Sequence, residues 1–360
     1  MARADIGGTD AGGAGAGRTG VGGTGGADVV QVALSTMDGE RSRDWYQQGL
    51  GFLPAGSLAP AADMSATQGV AGARIRNLLW LVDSQDFVQL EIFEYSSPPV
   101  RSLRPDRGPR DIGYGRVGVW VADFDAALAR LARIGARPAG PLSGPPGARR
   151  ACVFDPDGIM VEVMEDFVPA PRSRPLVRPG AGVALRAVTA SVPNLDASLR
   201  FFRDAIGMTE VPDIVLHTAA QEPAARREQT PRRRTLLAAG QLWLELTQYE
   251  AAGGRPRPAD YRITDQGILN IAVASRTLKG YLGLRGRVTA AGYQVHAEIA
   301  REHLRIQYAL DPQGFSVEMG YFDAARDPIA GFCPAGPPTP SRDIISQKEE
   351  AEQRPSAETS

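Results

Sequence analysis

Two stretches decide the fold: VFDPDGIMVEVMEDF at residues 153–167 and ALDPQGFSVEMGYF at residues 309–322. In each, a tight-turn tetrapeptide stands between two apolar segments, which is the pattern of a β-hairpin. The second strand of each hairpin carries a central glutamate, Glu162 or Glu318, and these positions are 156 residues apart. The chain therefore contains an internal repeat, which must be recognised before any fold is assigned.

A second pair of matching stretches has the same offset: VVQVALSTMDGERSRDWYQQGLGF at residues 29–52 and LRAVTASVPNLDASLRFFRDAIGM at residues 185–208. Each has an alternating strand, a polar break and an amphipathic helix. We expect a serine to open each helix and a glycine to end it. The predicted pairs are Ser42 with Gly51 and Ser198 with Gly207.

The whole chain follows the order strand, helix, three strands, four times over. The four βαβββ modules are predicted at residues 29–95, 112–166, 183–250 and 266–322. Alternation with one polar face predicts sheets that curl into α+β cups, each closed by two modules. We expect consecutive modules to pair, which gives two domains and a linker. Their predicted bounds are 28–167 for the first domain, 168–182 for the Pro/Arg-rich linker and 183–326 for the second domain.

Composition limits the function. The Gly-rich residues 1–27 and the Pro-rich, then polar, residues 327–360 are predicted to be disordered tails. A net charge of -1 argues against a nucleic-acid partner, and no apolar run is long enough to span a bilayer. Two cysteines cannot form a disulfide framework, so a cytoplasmic setting is expected. The Arg, Ala, Gly and Pro bias suggests a bacterial origin.

Asp-Pro-Asp-Gly before a strand with a central glutamate, together with Ser-x-x-aromatic-aromatic before Leu-Gly-Phe, resembles the vicinal-oxygen-chelate (VOC) superfamily. That superfamily includes glyoxalase I, epimerases, extradiol dioxygenases and bleomycin resistance proteins. The resemblance covers all four modules. It implies two cupped, barrel-like VOC domains in tandem, each around a small-molecule pocket, while the reaction stays open because one fold hosts many chemistries.

The resemblance also implies a metal-ligand pattern: one residue from the first strand of each module and a glutamate from the last. For the first cup, the matching positions are Gln31, Glu91, Arg116 and Glu162. For the second cup, they are Ala187, Glu245, Asn270 and Glu318. Arginine cannot ligate a metal. We therefore expect no metal in the first cup, with Arg116 neutralising Glu91 and Glu162. The alternative is a divalent ion (Zn, Ni, Co, Mn or Mg) held by Gln31, Glu91 and Glu162.

Counting back across each hairpin turn predicts which other side chains share the concave faces. The count places Gln307 opposite Glu318 and Leu78 opposite Glu91. We predict substrate contacts from polar and aromatic residues on these faces: Gln31, Arg76, Trp80, Trp120, His303, Arg305 and Glu318. The alternative is that these are ordinary hairpin pairs, with the histidine solvated at the rim.

These residues favour an isomerase, epimerase or lyase that transfers a proton on an oxygenated metabolite. Glu91 or Glu162 would be the base, and Arg116 would stabilise the developing negative charge. Neither predicted cup supplies the two histidines and one carboxylate of an extradiol dioxygenase. A non-catalytic binder of a drug or metabolite and a glyoxalase I-like metalloenzyme are the alternatives. We expect a monomeric pseudo-dimer or a homodimer.

Overall fold

The computed structural model describes residues 28–58, 62–104, 106–221, 232–250 and 254–335. The predicted tail at residues 1–27 and the part of the C-terminal tail after residue 335 lie outside them. The strands and helices of the first two modules are β1 (Asp28–Thr36), α1 (Gly39–Trp45), β2 (Leu53–Leu58), α2 (Ser65–Gln68), β3 (Arg74–Val82), β4 (Gln89–Ser97), β5 (Gly113–Val121), α3 (Phe124–Arg133), β6 (Arg150–Phe154) and β7 (Met160–Met164). Those of the last two are β8 (Val183–Ser191), α4 (Leu195–Leu199), β9 (Thr209–Glu210), β10 (Arg232–Ala239), β11 (Leu242–Tyr249), β12 (Gly267–Ser275), α5 (Leu278–Ala290), β13 (Gln294–Val295), β14 (Ile299–Arg301), β15 (Leu304–Leu310) and β16 (Ser316–Phe322).

The four predicted modules are present, and the fold is α+β as expected. The second module departs from the pattern, since a single bridge between Ser143 and Arg150 stands where the others have a further strand. Residues 137–148 contain four prolines and three glycines, and proline cannot donate to a strand ladder. None of the helices in the described chain is both long and apolar enough to cross a membrane.

The modules pair differently from the sequence-based expectation. Within the described residues, sheet A has nine strands, in the order β13-β15-β16-β12-β1-β4-β3-β2, with β14 added beside β15. Sheet B has seven, in the order β6-β7-β5-β8-β11-β10-β9. Sheet A therefore combines the first and fourth modules, and sheet B combines the second and third. The predicted pairing of consecutive modules in each cup was wrong.

Two antiparallel strand pairs create this arrangement. β1 pairs with β12, where Val32 faces Ile271, and β5 pairs with β8, where Val117 faces Val188. All four side chains are buried in one apolar core that both sheets and their helices share. The inward faces of β1 and β5 thus bury valine and leucine, and the opposite faces form two cups. Cup A is the concave face of sheet A, and cup B is that of sheet B.

The two hairpin turns predicted from the sequence form side-chain hydrogen bonds to neighbouring modules. In the first, the Asp157 carboxylate accepts hydrogen bonds from Thr36 and Ser42. The second places Gln313 against Ser198, with Nε2 donating to the serine Oγ at 2.8 Å. Ser42 and Ser198 contact these turns and are not, as we had expected, the residues at which the helices begin. The N-caps lie four residues earlier, at Asp38 and Asn194, whereas Gly51 and Gly207 end their helical segments with a φ of 93°, as predicted.

The C-terminal boundary also needs correction. The predicted disordered tail begins at residue 327, but the described chain continues in ordered contacts to residue 335. Phe332 is fully buried, with its ring centroid 4.7 Å from that of Phe87 and 5.0 Å from that of Phe322. The composition of the tail, which is rich in proline and glycine, predicted disorder and did not reveal that this single aromatic residue is buried.

The module pairing predicts how the chain behaves when it is cut in the linker. If residues 28–167 and 183–335 are produced as separate chains, each cup needs one module from each. We expect mixing to give a 1:1 complex, which gel filtration with light scattering detects. The circular dichroism spectrum of the complex should match that of the intact chain. Each half alone would expose the apolar edge of its first strand. Two halves that each remain folded monomers and do not associate would contradict the pairing.

Candidate functional site in cup A

Four polar side chains meet in the middle of cup A. β1 lies between β4 and β12, so Ala33 has Glu91 on one side and Asn270 on the other. Ala272 of β12 in turn lies opposite Gln31 and opposite Glu318 of β16. The four side chains Gln31, Glu91, Asn270 and Glu318 are all at least 95% buried. They occupy the four ligand positions of the VOC pattern, but they come from the first and last modules.

Several polar atoms of this group have no hydrogen-bond partner among the residues that the structure describes. They are Gln31 Oε1, Glu91 Oε2, Glu318 Oε1 and both Oδ1 and Nδ2 of Asn270. The other oxygen of Glu91 accepts a hydrogen bond from Trp80 Nε1 at 2.9 Å. An unsatisfied buried polar atom costs about 1–3 kcal/mol, and folded proteins contain few of them. So many at one point indicate a site for a bound group.

Burial and mutual repulsion perturb both carboxyl groups. Burial raises the pKa of Glu91 well above its ordinary value, and the neighbouring Glu318 raises it further. Burial also raises the pKa of Glu318 to about 7, although a hydrogen bond with Tyr308 opposes the shift. Two adjacent carboxyls in a dry site share protons near neutral pH unless a cation compensates them.

Aromatic side chains form the wall beside these carboxyls. The rings of Phe93 and Tyr95 stack with centroids 5.7 Å apart and an interplanar angle of 10°. Gln68, in the short helix α2, accepts a hydrogen bond from Tyr95 OH at 3.0 Å and donates one to Tyr308 OH at 3.4 Å. Gln68 thus links helix α2 to the hydroxyl groups of both tyrosines in this wall.

A hard divalent cation fits this set of donors. The unpartnered oxygens belong to two carboxylates and two amides, and Mg²⁺ and Mn²⁺ prefer oxygen ligands. In the described chain, no cluster of three or more His, Cys, Asp and Glu side chains could hold a metal, so the site depends on Gln31 and Asn270. The expectation of a metal-free first cup assumed that Arg116 shares the cup with Gln31. Arg116 lies in cup B, so this reason does not apply to cup A.

Cup B has the same backbone positions with different chemistry. Arg116 Nε lies 3.4 Å from Glu162 Oε2, and its Nη2 lies 4.0 Å from Glu245 Oε2. His217 bridges the same two carboxylates, with Nε2 2.7 Å from Glu162 and Nδ1 3.1 Å from Glu245. Arg116 thus neutralises Glu162 as expected, but its second partner is Glu245 and not Glu91.

The ion pairs in cup B keep its carboxylates charged. Burial alone would raise the pKa of Glu162, but Arg116, His217 and Arg150 outweigh it and hold the pKa well below its usual range. Arg234 also lies 3.8 Å from Glu245. Ala187 provides no donor atom. Cup B therefore fills the metal position with its own cations.

Of the remaining residues predicted to contact a substrate, some lie in the two cups and others lie outside them. Trp120 lies on the same face as Arg116 and packs edge-on against Phe167. Trp80 lies directly opposite Glu91, where we expected Leu78. Irregular pairing near residue 76 turns Arg76 outward to an ion pair with Glu94, with Nη1 and Oε1 3.2 Å apart. The prediction of Arg76 in the cup was wrong.

The predicted face of β15 was also wrong. Tyr308, not Gln307, lies opposite Glu318, because the turn shifts the count by one residue, which reverses every side chain. Arg305 therefore points away from cup A, with Nε 3.7 Å from Glu298. His303 is partly exposed and lies beside Asp323, with Nδ1 and Oδ2 3.4 Å apart.

Sequence reasoning missed two site residues. Tyr308 required the correct hairpin register. His217 lies in an irregular segment after β9, and nothing in its spacing links it to Glu162 or Glu245. Asn270 was recognised at a ligand position, but the wrong module pairing separated it from Gln31 and Glu91.

The chain belongs to the Glyoxalase/Bleomycin resistance protein/Dioxygenase superfamily. That family model matches residues 28–163 and again residues 184–319, which confirms the resemblance and the tandem organisation.

Solved structures agree with this assignment. Glyoxalase I from Zea mays matches with a TM-score of 0.54 at 15% identity, over 85% of this chain and 95% of that one. A Bacillus subtilis protein, provisionally assigned as a dioxygenase, matches with a TM-score of 0.55 at 13% identity, over 82% of this chain and 85% of that one. These identities show the fold alone. No curated protein matches the sequence.

The raised pKa of Glu318 predicts a pH-dependent stability. The folded protein holds a proton between pH 4.5 and about 7 that the unfolded chain has released. This contribution is therefore present below pH 4.5 and is lost as pH rises through 7. With a chelator present, Glu318→Gln should be more stable than the wild type at pH 8, by on the order of 2–3 kcal/mol, and similar at pH 4.5. Urea unfolding at both pH values tests this, and an unchanged difference between them would contradict it.

The ion network of cup B predicts a large effect from one cation. Arg116→Gln leaves Glu162 and Glu245 less compensated in a buried site, so we expect a loss of about 3 kcal/mol in the free energy of unfolding. The control is Arg233→Gln, which removes an exposed ion pair with Asp196 and should change little. Equal effects of the two substitutions would show that the buried network is not stabilising.

Proposed function

We propose that cup A holds a hard divalent cation and that the protein transfers a proton on a small oxygenated molecule bound there. The observation that supports this is the convergence of unpartnered oxygens from Gln31, Glu91, Asn270 and Glu318. Superfamily membership and the matching ligand positions agree with it. An isomerase, epimerase or lyase reaction is the class that this arrangement supports best.

The cation, when bound, would polarise a substrate oxygen and stabilise negative charge on it. The chain supplies the rest. Trp80 fixes one oxygen of Glu91 and leaves Oε2 directed at the site. Glu318, the second buried carboxyl of the site, can accept a proton from the bound substrate and return it. The wall of Phe93, Tyr95 and Tyr308 keeps water away from the reacting atoms.

Cup A thus takes over the catalytic role that the sequence suggested for the cup with Arg116 and Glu162. Glu91 stays in the proposed site as a cation ligand, and Glu318 takes the role of base that the sequence suggested for Glu91 or Glu162. Glu162 and Arg116 are committed to the buried network of cup B, so we assign them a structural role there. The match to maize glyoxalase I makes a glyoxalase I-type reaction a narrower form of the same proposal.

A non-catalytic binder is the second candidate, and the stacked Phe93 and Tyr95 rings favour it. Such a surface suits a flat ligand without any chemistry. The two candidates differ in their need for a cation and for an exchangeable proton.

Calorimetric titration with Mn²⁺ tests the cation site. We expect about one ion per chain, and at least about tenfold weaker binding in Glu91→Gln, which loses a charged ligand. The matched control is Glu94→Gln, on the same strand but the opposite face, which should bind as the wild type does. No binding by the wild type, or equal binding by Glu91→Gln, would overturn the site.

Proton exchange in D₂O separates the enzyme from the binder. With Mg²⁺ present, the wild type should incorporate deuterium next to the carbonyl of some member of a panel of 2-oxo acids and hydroxyketones. NMR measures this incorporation, and Glu318→Gln should abolish it while still folding. Ligand binding by members of the panel without exchange would favour the non-catalytic candidate.

A further inference from the structure

The two connectors between sheets A and B contain a repeat of their own. Arg, Asp, Asp and Gly recur in the same order and spacing, 154 residues apart. The first set is Arg101, Asp106, Asp111 and Gly113, and the second is Arg255, Asp260, Asp265 and Gly267. Each arginine binds both aspartates of the other connector. We call this reciprocal arrangement the connector clasp.

The clasp borders a cavity of about 180 Å³. A water molecule needs roughly 10–15 Å³ by such a measure, so a small organic anion fits. Besides residues of the clasp, the lining includes Arg104, Arg107, Tyr114, Arg257 and Tyr261. The donor atoms of cup A, by contrast, do not line it.

Arg107 and Arg257 line the cavity and take no part in the clasp. Arg107 donates to the carbonyl of Tyr114 at 2.7 Å. Arg257 donates to the carbonyl of Gly314 and lies over the ring of Phe315, 4.4 Å from its centroid. Neither forms an ion pair with a carboxylate of the described chain within 4 Å. A carbonyl contact holds the Arg107 guanidinium, and carbonyl and ring contacts hold that of Arg257, without neutralising either charge.

The two guanidinium groups converge at Gly113. A Cβ at this position would lie 3.1 Å from Arg107 Nη2 and 3.3 Å from Arg257 Nε. Both guanidinium groups therefore lie so close to this backbone position that an added Cβ would require each to move by a few tenths of an ångström.

The charge balance points to an anion. The two connectors, residues 101–112 and 254–266, contain seven arginines and four aspartates, and the clasp already occupies the aspartates. Burial lowers the pKa of Arg107, and repulsion from Arg257 lowers it further. An anion between the two groups would relieve both effects.

We propose that the connector cavity is a second binding site, which takes a phosphate group, either free or carried by a small phosphate ester, between Arg107 and Arg257. Guanidinium forks match the oxygens of phosphate in pairs. A dianion also compensates two positive charges, which a monocarboxylate cannot do. The ligand would bridge the two connectors and so stabilise the link between sheets A and B.

Calorimetric titration of the full chain with inorganic phosphate, at ionic strength held constant with NaCl, tests this site. We expect saturable binding by the wild type and about tenfold to a hundredfold weaker binding in Arg107→Gln and Arg257→Gln, as each loses charge-assisted hydrogen bonds. Arg301→Gln is the matched control, because Arg301 is exposed and outside the cavity. A glucose phosphate used as a second titrant distinguishes a phosphate ester from free phosphate by its tighter binding.

Three results would overturn the proposal: no phosphate binding by the wild type, equal binding by Arg257→Gln and Arg301→Gln, or tighter binding of succinate than of phosphate. Glu318→Gln should bind phosphate as the wild type does. That variant separates this site from cup A, because the failure of one site leaves the other unaffected.

Discussion

The antiparallel pairing of β1 with β12 is the contact on which the rest of the molecule depends. It joins the first module to the last and makes sheet A continuous from β2 to β13. The equivalent pairing of β5 with β8 builds sheet B from the two middle modules. Both pairs bury valines such as Val32 and Val117 in a common core, so apolar burial on one face determines which polar residues meet on the other.

The strand pairing gives one repeated sequence two different cups. In cup A, the first strands contribute Gln31 and Asn270 beside two glutamates, and the buried oxygens lack compensation. In cup B, they contribute Arg116 and Ala187, and His217 completes a network that neutralises the glutamates internally. Both first-strand positions therefore differ between the cups, and His217 adds to the difference, so equivalent pairs of glutamates lie in different surroundings.

The sequence was sufficient for the order of strands and helices within the modules. Repeats 156 residues apart and the hairpin turns predict the four modules, and they place Gln31, Glu91, Glu162 and Glu318 on concave faces. It was insufficient wherever distant segments meet, because nothing local distinguishes β5 from β12 as the partner of β1. A one-residue error in hairpin register put His303 and Arg305 in place of Tyr308. His217 reaches cup B from an irregular segment, whose position no periodicity predicts.

The central claim is that glutamates from the two ends of the chain share one site, and the pKa of Glu91 reports on it directly. Carbon-detected NMR can follow this carboxyl in wild type, Glu318→Gln and Glu162→Gln, in metal-free buffer. If Glu318 is the neighbour, its neutralisation removes a repulsion and lowers the pKa of Glu91, while Glu162→Gln leaves it unchanged. A fall with Glu162→Gln and none with Glu318→Gln would contradict the account.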